Sequence, residues 1–458
     1  MSNIFRAYDV RGVYPDELNE EISKKIAGAT VKFLNAKKIV VGEDARVSSP
    51  ALRKAVLEGA TKAGCDVYYI GQCTTPLFYF TVNNLDVDGG IMVTASHNPP
   101  QYNGLKIVRK GSRPISEDTG LREIEKLINS EVSGGEEGNT KEASLKNDYI
   151  EFLLNTSKNI SDKVSDIKII IDASNGVTPL ILNDLLPKTK LNVLPLYFEI
   201  DGTFPNHLSD TSREENLGDL KDKVIAEKAD VGIAFDGDGD RMAVVDEKGN
   251  IVRADAISAL IHDSFYKNEK VTHDSRFSKS VRDFFGNNSI PSKTGHSFVK
   301  EVMRNNQCAF GAELSGHFFF KEMNYADSAI LAMLRFVEVL TKIDKPLSMI
   351  VEPFRKYFNS GEMNFEFKGD KNSLLRTLRE KYSDGQISEL DGIAVEYWDS
   401  PSIKLGTISD KTGNWWFNAR FSNTEPLMRV VVEAETKNLL DEKVQEISNA
   451  IKIHQNQK

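Results

Sequence analysis

A serine-containing turn near residue 96 has the residue types for phosphoryl chemistry. The segment 94–100 (TASHNPP) directly follows the apolar run at 90–93, and Lys106 comes ten residues after Ser96. A polar turn at the end of a buried strand is where open α/β sheets place their reacting groups. No G-x-S-x-G surrounds Ser96, which argues against a nucleophile elbow, and adjacency alone does not make His97 its base. A serine near a lysine favours phosphoryl transfer, with a turn serine that bonds only its own backbone as the alternative.

Three aspartates alternate with glycines in a DGDGDR segment that follows a second apolar run. In an extended or gently turned chain Asp236, Asp238 and Asp240 can converge on one ion, because the glycines let the backbone curl. Carboxylate oxygens are hard ligands that suit Mg2+. An EF-hand calcium loop is disfavoured, since Arg241 occupies the sixth position where that loop needs glycine, although Glu247 falls at the twelfth. A plain acidic turn is the remaining alternative.

Two further polar segments carry groups that suit sugar hydroxyls and phosphates. In GAELSGH, which begins at residue 311, Glu313, Ser315 and His317 alternate, so an extended loop presents all three on one side. These groups suit vicinal sugar hydroxyls, and a polar loop before an aromatic strand is the alternative. The later segment RFSNTEPLMR predicts a phosphate receptor with charge-assisted bonds, or else a simple solvated hairpin. Its candidate ligands are Arg420, Ser422, Asn423, Thr424 and Arg429.

Composition limits the classes of protein that need to be considered. The 458 residues are 40% hydrophobic and 27% charged, which is ordinary for a globular protein of several domains. Acidic residues outnumber basic ones 67 to 58, giving a net charge of -9 that argues against a nucleic-acid or membrane surface. Three scattered cysteines and the absence of an apolar N-terminal signal favour a cytoplasmic setting. The cysteines are Cys65, Cys73 and Cys308.

Alternating strand and helix patterns predict three similar mixed-sheet α/β domains followed by a smaller C-terminal α+β domain. Within the first domain we expect the serine turn to continue through 101–107 and one helix to span 117–128. We also expect a helix near 347–355, and a linker-like loop at 131–139, which is polar and rich in glycine. The predicted domains are 1–145 with the serine turn, 146–250 with the aspartates, 251–356 with the Glu-Ser-His segment and 357–458 with the arginine segment.

These four motifs and a fifth near the N-terminus together resemble the α-D-phosphohexomutase family, most closely its phosphomannomutase/phosphoglucomutase branch. The matching stretches are FRAYDVRG at 5–12, TASHNPPQYNGLK at 94–106, DGDGDR at 236–241, the Glu-Ser-His segment and RFSNTEPLMR at 420–429. They occur in the family's order and cover nearly the whole chain. The resemblance implies four domains arranged around a central cleft.

The resemblance also implies roles for individual residues. It makes Ser96 the phosphorylated residue and places Mg2+, one per chain, on the three aspartates together with Ser96. Arg11, Lys106 and His317 become candidates for polarising bonds or moving protons. Substrate contacts are implied for Tyr8, Arg241, Arg276, His296, Glu313 and Ser315 and for the five residues of the arginine segment. Arg276 stands where this branch usually has lysine, which preserves the charge but not the geometry.

The implied reaction is reversible phosphoryl transfer between the 1 and 6 positions of mannose or glucose phosphate. It passes through a phosphoserine and a 1,6-bisphosphate, with glucose 1,6-bisphosphate as activator, and we expect the fourth domain to close over substrate. A phosphoglucosamine or phospho-N-acetylglucosamine mutase is the alternative within the family. A Mg2+-dependent sugar phosphatase and a non-catalytic sugar-phosphate sensor are alternatives outside it. The expected partner is a hexose phosphate, without nucleic acid or membrane, in a monomer or homodimer.

Overall fold

The computed structural model describes residues 4–130, 136–157, 162–398, 413–422 and 426–455. In its first unit the strand order is β1-β5-β4-β2-β3-β7, with β6 beside β5. Strands β2, β3, β4 and β7 are parallel, whereas β5 is antiparallel to both β1 and β4, so the sheet is mixed. The elements are β1 (Val10–Val13), α1 (Glu20–Leu34), β2 (Lys38–Glu43), α2 (Ser49–Lys62), β3 (Asp66–Gln72), α3 (Thr75–Asn84), β4 (Gly89–Val93), β5 (Tyr102–Arg109), β6 (Arg113–Pro114), α4 (Leu121–Leu127) and β7 (Thr140–Glu142).

Two local expectations for this unit are wrong. The segment predicted as a continuing turn, 101–107, is mostly strand β5. Its sequence does not show the usual alternation of buried apolar and exposed polar residues, because the charged Lys106 is buried at a polar site. Gly104 permits this pairing, since a Cβ there would lie 2.4 Å from the Val10 carbonyl oxygen. The helix predicted over 117–128 is a 3-10 turn followed by α4, because Gly120 between them has a φ of 136°.

The second and third units repeat the mixed α/β design. In the described residues their strand orders are β12-β11-β10-β8-β9 and β14-β13-β15-β16-β17. The second unit contains α5 (Lys146–Thr156), β8 (Lys168–Asp172), α6 (Pro179–Leu185), β9 (Asn192–Leu196), α7 (Gly218–Glu227), β10 (Val231–Phe235), β11 (Met242–Asp246) and β12 (Ile251–Val252). The third contains α8 (Ala254–Phe265), β13 (Val271–Asp274), α9 (Lys279–Phe285), β14 (Ser289–Ser292), α10 (His296–Asn306), β15 (Phe310–Ala312), β16 (Phe318–Phe320), β17 (Ala326–Asp327), α11 (Ala329–Lys342) and α12 (Leu347–Ile350).

The last unit has an antiparallel sheet of different design. Its described strands run in the order β18-β23-β22-β21-β20, with β19 also paired to β23. The elements are β18 (Phe358–Asn359), β19 (Met363–Glu366), α13 (Lys371–Lys381), β20 (Gln386–Ser388), β21 (Ile393–Glu396), β22 (Trp415–Phe421), β23 (Leu427–Ala434) and α14 (Lys437–Gln455). The predicted fold class, three mixed-sheet α/β domains and a C-terminal α+β domain, is therefore confirmed. The helix expected over 347–355 is instead α12 followed by a separate 3-10 turn at Glu352–Phe354.

One apolar core runs through the first three units. Phe78 of α3, Ile233 of β10 and Phe336 of α11 all belong to it and are fully buried. Helix α3 contacts strands of both the first and the third unit, and α11 contacts β11 of the second, so these helices tie together the units that carry the carboxyl ends of β4, β10 and β15. Those ends carry Ser96, the aspartates and Glu313, as expected for reacting groups in α/β sheets. Across the described ranges, no helix combines the length and apolarity that crossing a bilayer requires.

Candidate active site

Ser96 is buried at the end of β4 in a backbone conformation that is unfavourable for serine. Its φ is 51°, in the left-handed region, and its side chain is enclosed. The hydroxyl donates to Asp236 Oδ2 at 2.8 Å and lies 3.2 Å from His97 Nδ1. The Ser96 N–H donates to Thr94 Oγ1 at 2.8 Å. A non-glycine residue held in this conformation destabilises the fold by about 1–3 kcal/mol and is common at functional sites. This unfavourable conformation directs the Ser96 hydroxyl towards the aspartates.

Arg46 anchors the serine turn through hydrogen bonds to its backbone carbonyl oxygens. Its guanidinium donates to the carbonyl oxygen of Ser96 at 2.8 Å and to those of Pro99 and Tyr102 at 2.8 and 3.0 Å. Its Nε lies 3.2 Å from Asp44 Oδ2, and burial lowers the pKa of Arg46. Arg46 could not be identified from the sequence. It lies just after β2, and nothing in the neighbouring residues indicates that it contacts a turn some fifty residues away.

The three predicted metal ligands are brought together. Asp236, Asp238 and Asp240 are fully or almost fully buried, and one carboxylate oxygen from each lies within 4.8 Å of the others. Asp238 Oδ1 is buried without a hydrogen-bond donor among the described residues. Burial, together with the charges of Asp240 and Asp238, raises the pKa of Asp236 well above its ordinary value. Crowded hard oxygens with an unsatisfied acceptor fit a divalent cation such as Mg2+.

Lys106 lies against these carboxylates. Its Nζ is 2.9 Å from Asp238 Oδ2 and also contacts Asp240. Burial lowers the pKa of Lys106, but Asp238 and Asp240 outweigh burial and raise it well above the ordinary value. Asp238 Oδ2 also accepts from the Thr75 hydroxyl at 2.6 Å, at the start of α3. A positive helix end and an ammonium therefore both face the aspartate set.

The Glu-Ser-His segment is a tight turn rather than the extended loop that we expected. The Glu313 N–H donates to His317 O at 2.9 Å, and Gly316 makes the reversal possible with a φ of 93°. The turn still gathers the three side chains, since His317 Nδ1 lies 3.2 Å from Glu313 Oε2 and 3.1 Å from Ser315 Oγ. The other ring nitrogen of His317 lies 3.3 Å from Asp240 Oδ1. Burial opposes protonation of His317, but Asp240 outweighs it and the pKa rises to about 9.

His296 and Tyr8 line the same region from opposite units. The His296 ring is 6.0 Å from that of His317 and 5.8 Å from that of Tyr8. Burial lowers the pKa of His296 well below its ordinary value. The Tyr8 hydroxyl donates to Thr294 O at 2.8 Å, and a Cβ on Gly295 would clash with Tyr8 at 2.5 Å. The glycine before His296 thus lets the first and third units approach closely.

Two predicted arginines complete this first group of residues. Arg11 Nη1 donates to Asn98 Oδ1 at 2.5 Å, which places its guanidinium beside the serine turn. Arg241 follows the aspartates, and its Nε lies 3.4 Å from His317 Nε2. Both guanidinium groups therefore border the region that contains Ser96 and the aspartates.

The remaining arginines form a second group around Glu362. Arg276 is held bidentately by Asp274 and donates to Glu362 Oε2 at 2.8 Å. Glu362 also pairs with Arg420 at 3.3 Å and Arg429 at 3.1 Å. The Ser422 N–H donates to Leu427 O at 2.8 Å, at the end of the β22–β23 hairpin. Asn423 and Thr424 lie outside the described residues. Glu362 was not identified from the sequence.

Asp391 connects the two groups. Its Oδ2 accepts from the Thr294 N–H at 3.0 Å and from the Ser275 hydroxyl at 2.9 Å, and it lies 3.8 Å from Arg420 Nε. The fourth unit therefore contacts the segment that leads into His296. The arrangement comprises one group of residues around Ser96 and the aspartates and a separate set of cations around Glu362 that can hold an anionic group.

Comparison with known proteins agrees with this arrangement. The three α/β/α domains of phosphoglucomutase/phosphomannomutase match residues 2–134, 147–249 and 253–357, and the C-terminal domain of the same family matches residues 368–450. The chain belongs to the phosphoglucomutase/phosphomannomutase family. The resemblance drawn from the sequence motifs is thereby confirmed.

Individual relatives match over nearly their full length. A phosphomannomutase of Methanocaldococcus jannaschii is 36% identical over 459 residues, covering 98% of this chain and 97% of that protein. A phosphomannomutase of Vibrio cholerae is 37% identical over 470 residues, covering 98% of each chain. The crystal structure of a phosphoglucomutase/phosphomannomutase family protein from Burkholderia thailandensis superposes with a TM-score of 0.87 at 28% identity. It covers 100% of this chain and 98% of that one.

Proposed function

We propose that this phosphohexomutase-family enzyme interconverts the 1- and 6-phosphates of mannose and of glucose through phosphorylated Ser96. Full-length similarity to phosphomannomutases supports the activity. One observation carries the assignment of Ser96: its strained hydroxyl lies 2.8 Å from Asp236 Oδ2, inside a buried set of three aspartates. A serine that only bonded its own turn would have no need of this environment. The four domain limits predicted from the sequence are part of the same proposal.

In the proposed phosphoryl transfer, the bond that forms to the sugar replaces the bond that breaks at Ser96. A free hydroxyl of the sugar phosphate attacks the phosphorus on Ser96, a P–O bond to the sugar forms, and the P–Oγ bond breaks. The hydroxyl proton leaves to a base, and Ser96 Oγ takes a proton in return. Lys106 and His317 can move protons here, whereas Arg11 stays protonated and polarises phosphoryl oxygens. The resulting 1,6-bisphosphate reverses its orientation in the site, and its other phosphoryl group is transferred back to Ser96.

The residues at the aspartate set fit one Mg2+ per chain. Asp236, Asp238 and Asp240, with an oxygen on Ser96, would hold it. When bound, the ion supplies positive charge against the phosphoryl oxygens. Arg241 lies on the same loop and adds a fixed cation beside them.

We assign the second cation group to the phosphate that is not reacting. Arg276, Arg420 and Arg429 converge on Glu362, and guanidinium groups bind phosphate oxygens in pairs. Ser422 lies at the same hairpin, and Asn423 and Thr424 are assigned there from the sequence. Glu313, Ser315, His296 and Tyr8 lie around or near His317 in the first group and are assigned to the sugar.

Other parts of the proposal follow from the chemistry. Glucose 1,6-bisphosphate activates the enzyme because it phosphorylates Ser96 again after hydrolysis has removed the phosphoryl group. Closure of the fourth domain excludes water, and X-ray scattering curves that are identical with and without substrate would contradict it. A monomer or homodimer and a cytoplasmic location remain predictions from the sequence.

The decisive experiment is a coupled assay with mannose, glucose and glucosamine 1-phosphates, Mg2+ and a trace of glucose 1,6-bisphosphate. We expect the first two to isomerise, and Ser96→Ala to lose at least about a thousandfold in kcat. Ser23→Ala, which removes another buried serine hydroxyl in the first unit, is the matched control and keeps the activity.

Other outcomes of this assay favour the alternatives. Turnover of glucosamine phosphate alone would move the enzyme to amino-sugar phosphates. Release of inorganic phosphate without isomerisation would indicate a phosphatase, and no reaction by a folded protein would indicate a sensor.

A further inference from the structure

A cavity lies between the first and third units and borders the active site through Phe298, whose ring is 5.7 Å from that of Tyr8. It has a volume of about 280 Å3, and its lining includes Arg109, Arg113 and Arg304, here called the arginine cluster. The hydroxyl-bearing residues Ser116 and Ser297 also line it. Three arginines around one cavity are unexpected on a chain with a net charge of -9.

The arginine cluster is held in place by neutral groups. Arg304 donates to the carbonyl oxygens of Asn324 at 2.8 Å and Gly111 at 3.2 Å, and Arg109 donates to that of Thr119. The Arg113 side chain is exposed and makes no hydrogen bond to a described residue, although its backbone pairs with that of Arg109. Carbonyl oxygens fix the geometry of a guanidinium but do not neutralise its charge.

The charges of the arginine cluster are not compensated by carboxylates. Within the described part of the chain, none of the three arginines lies within 4.0 Å of an aspartate or glutamate oxygen, although Asp118 and Glu301 line the same cavity. Burial, and then the charge of Arg113, lowers the pKa of Arg304 to about 10 and also lowers that of Arg109. Three like charges are therefore held together without a direct ion pair, and the two carboxylates of the lining leave the cavity with an excess of positive charge.

The arginine cluster is separate from the active site, although it shares two elements with it. Arg109 lies three residues beyond Lys106 on β5, and side chains three apart leave a strand on opposite faces. Arg304 lies eight residues beyond His296 on α10, which is about 12 Å along the helix axis. An occupant of this cavity would touch the same strand and helix that carry Lys106 and His296, but not those residues.

We infer that the arginine cluster is a second anion site that binds a small phosphate-bearing molecule between the first and third units. Guanidinium forks match phosphate oxygens in geometry and charge, and the two serine hydroxyls add further donors. The volume is at the lower end of small-ligand sites, about 300 Å3. Because the ligand would link β5 to α10, its binding stabilises the contact between the first and third units, which carry Lys106 and His296.

Hydrogen–deuterium exchange tests the site, because it shows which peptides inorganic phosphate protects when it binds. In the wild-type enzyme we expect phosphate to slow exchange in peptides covering 113–119 and 300–306. The double variant Arg113→Gln/Arg304→Gln loses this protection, while phosphate still protects peptides at 418–422 in the active site. Loss of each guanidinium contact weakens apparent phosphate affinity at 300–306 about tenfold.

Controls separate a specific site from general electrostatics. Arg376→Gln/Arg379→Gln removes two exposed arginines of α13, so the charge change is the same, and protection at 300–306 persists. Arg113→Gln alone removes an exposed side chain, keeps the wild-type melting temperature and still weakens protection. Glycerol phosphate in place of inorganic phosphate shows whether an ester binds more tightly, and glycerol alone gives no protection. Absence of protection in the wild type, or equal protection in the double variant, overturns the inference.

Discussion

Glu362 and Arg276 form an ion pair between the third and fourth units, with Oε2 and Nη1 separated by 2.8 Å. The same carboxylate pairs with Arg420 and Arg429, so one acid holds three of the cations assigned to phosphate binding. Burial raises the pKa of Glu362, but Arg276, Arg420 and Arg429 outweigh burial and lower it. Glu362 is therefore an anion inside a cationic pocket, and it organises that pocket when phosphate is absent.

Removing the Glu362 carboxylate should weaken substrate binding. Glu362→Ala leaves three arginines facing one another without a counter-charge, so they separate and the pocket loses its geometry. Charged hydrogen bonds of this kind contribute roughly 1.5–3 kcal/mol, and we expect KM for glucose 1-phosphate to rise about tenfold or more. Because Ser96 is untouched, kcat should change much less. Steady-state kinetics with the coupled assay measures both constants.

Two variants define what Glu362 contributes. Glu362→Gln keeps the shape and some hydrogen bonds but not the charge, so its KM should lie between those of the wild type and Glu362→Ala. Glu366→Gln alters an exposed glutamate at the end of β19, the strand that follows Glu362, and should leave KM unchanged. A Glu362→Ala enzyme with normal KM and reduced kcat would show that the pocket does not depend on this carboxylate.

Arg46→Ala should destabilise the protein and disorder the serine turn. The substitution removes the guanidinium donor from the carbonyl oxygens of Ser96, Pro99 and Tyr102, and it removes the ion-pair partner of the buried Asp44. Loss of one member of a buried ion pair typically costs about 3–5 kcal/mol. We expect a clearly lower melting temperature and a large loss of kcat, measured by calorimetry and the coupled assay.

The same assays separate anchoring from simple loss of charge near Ser96. Arg46→Lys keeps a cation but offers one nitrogen in place of the guanidinium fork, so it should recover only part of the activity. Arg53→Ala removes an arginine that is less buried and pairs with Glu43 at 3.4 Å, and it should have a small effect. Full activity and stability of Arg46→Ala would refute the anchoring role.

Removing divalent cations should abolish activity and lower thermal stability together. The buried aspartates repel one another, so an ion that binds only the folded state raises the melting temperature in proportion to the logarithm of its concentration. We expect chelation to inactivate the enzyme and Mg2+ to restore both properties. Asp238→Asn should lose most of the thermal shift, whereas Asp222→Asn, on the exposed face of α7, should keep it. An equal Mg2+ shift in both variants would place the ion elsewhere.

The sequence identified residues whose type and local spacing carry the chemistry. Ser96, Asp236 and Glu313 follow apolar strands, and reacting groups at strand ends are a local pattern that needs no knowledge of distant contacts. The mixed-sheet units were predictable for the same reason, because strand and helix periodicities are local. Strand β5 was missed because Lys106, a charged residue in its middle, is buried by pairing with Asp238 and not by the strand's own apolar pattern.

Residues that act through long-range contacts gave no sequence signal. Arg46 reaches the carbonyl oxygens of a turn some fifty residues away, and Glu362 reaches Arg420 and Arg276 across two units. Nothing in the neighbourhood of either residue indicates its partners. The turn at Gly316 illustrates a smaller gap, since the alternation of Glu313 and His317 predicted the correct grouping but the wrong backbone shape.

Protonation of His273 should destabilise the folded state at mildly acidic pH. The ring is buried between Phe277 and Phe285 and bonds the Ser289 hydroxyl at 2.7 Å, and burial lowers its pKa to about 4. The unfolded chain binds this proton near pH 6.5, so the stabilisation is present above that pH and is lost progressively as the pH falls towards 4. The full contribution is roughly 3 kcal/mol.

The change can be measured with urea unfolding curves between pH 7 and pH 4.5. We expect the unfolding free energy of the third unit to fall with decreasing pH, and the slope to be smaller for His273→Gln, which cannot take up the proton. NMR titration of the His273 ring offers a direct check, because the ring should stay neutral in the folded protein at pH 5.5. A His273 that titrates near 6.5 in the folded state, or a variant with an unchanged slope, would contradict the assignment. Such a result would mean that the stacked phenylalanines admit the charged ring without cost, against the burial seen around it.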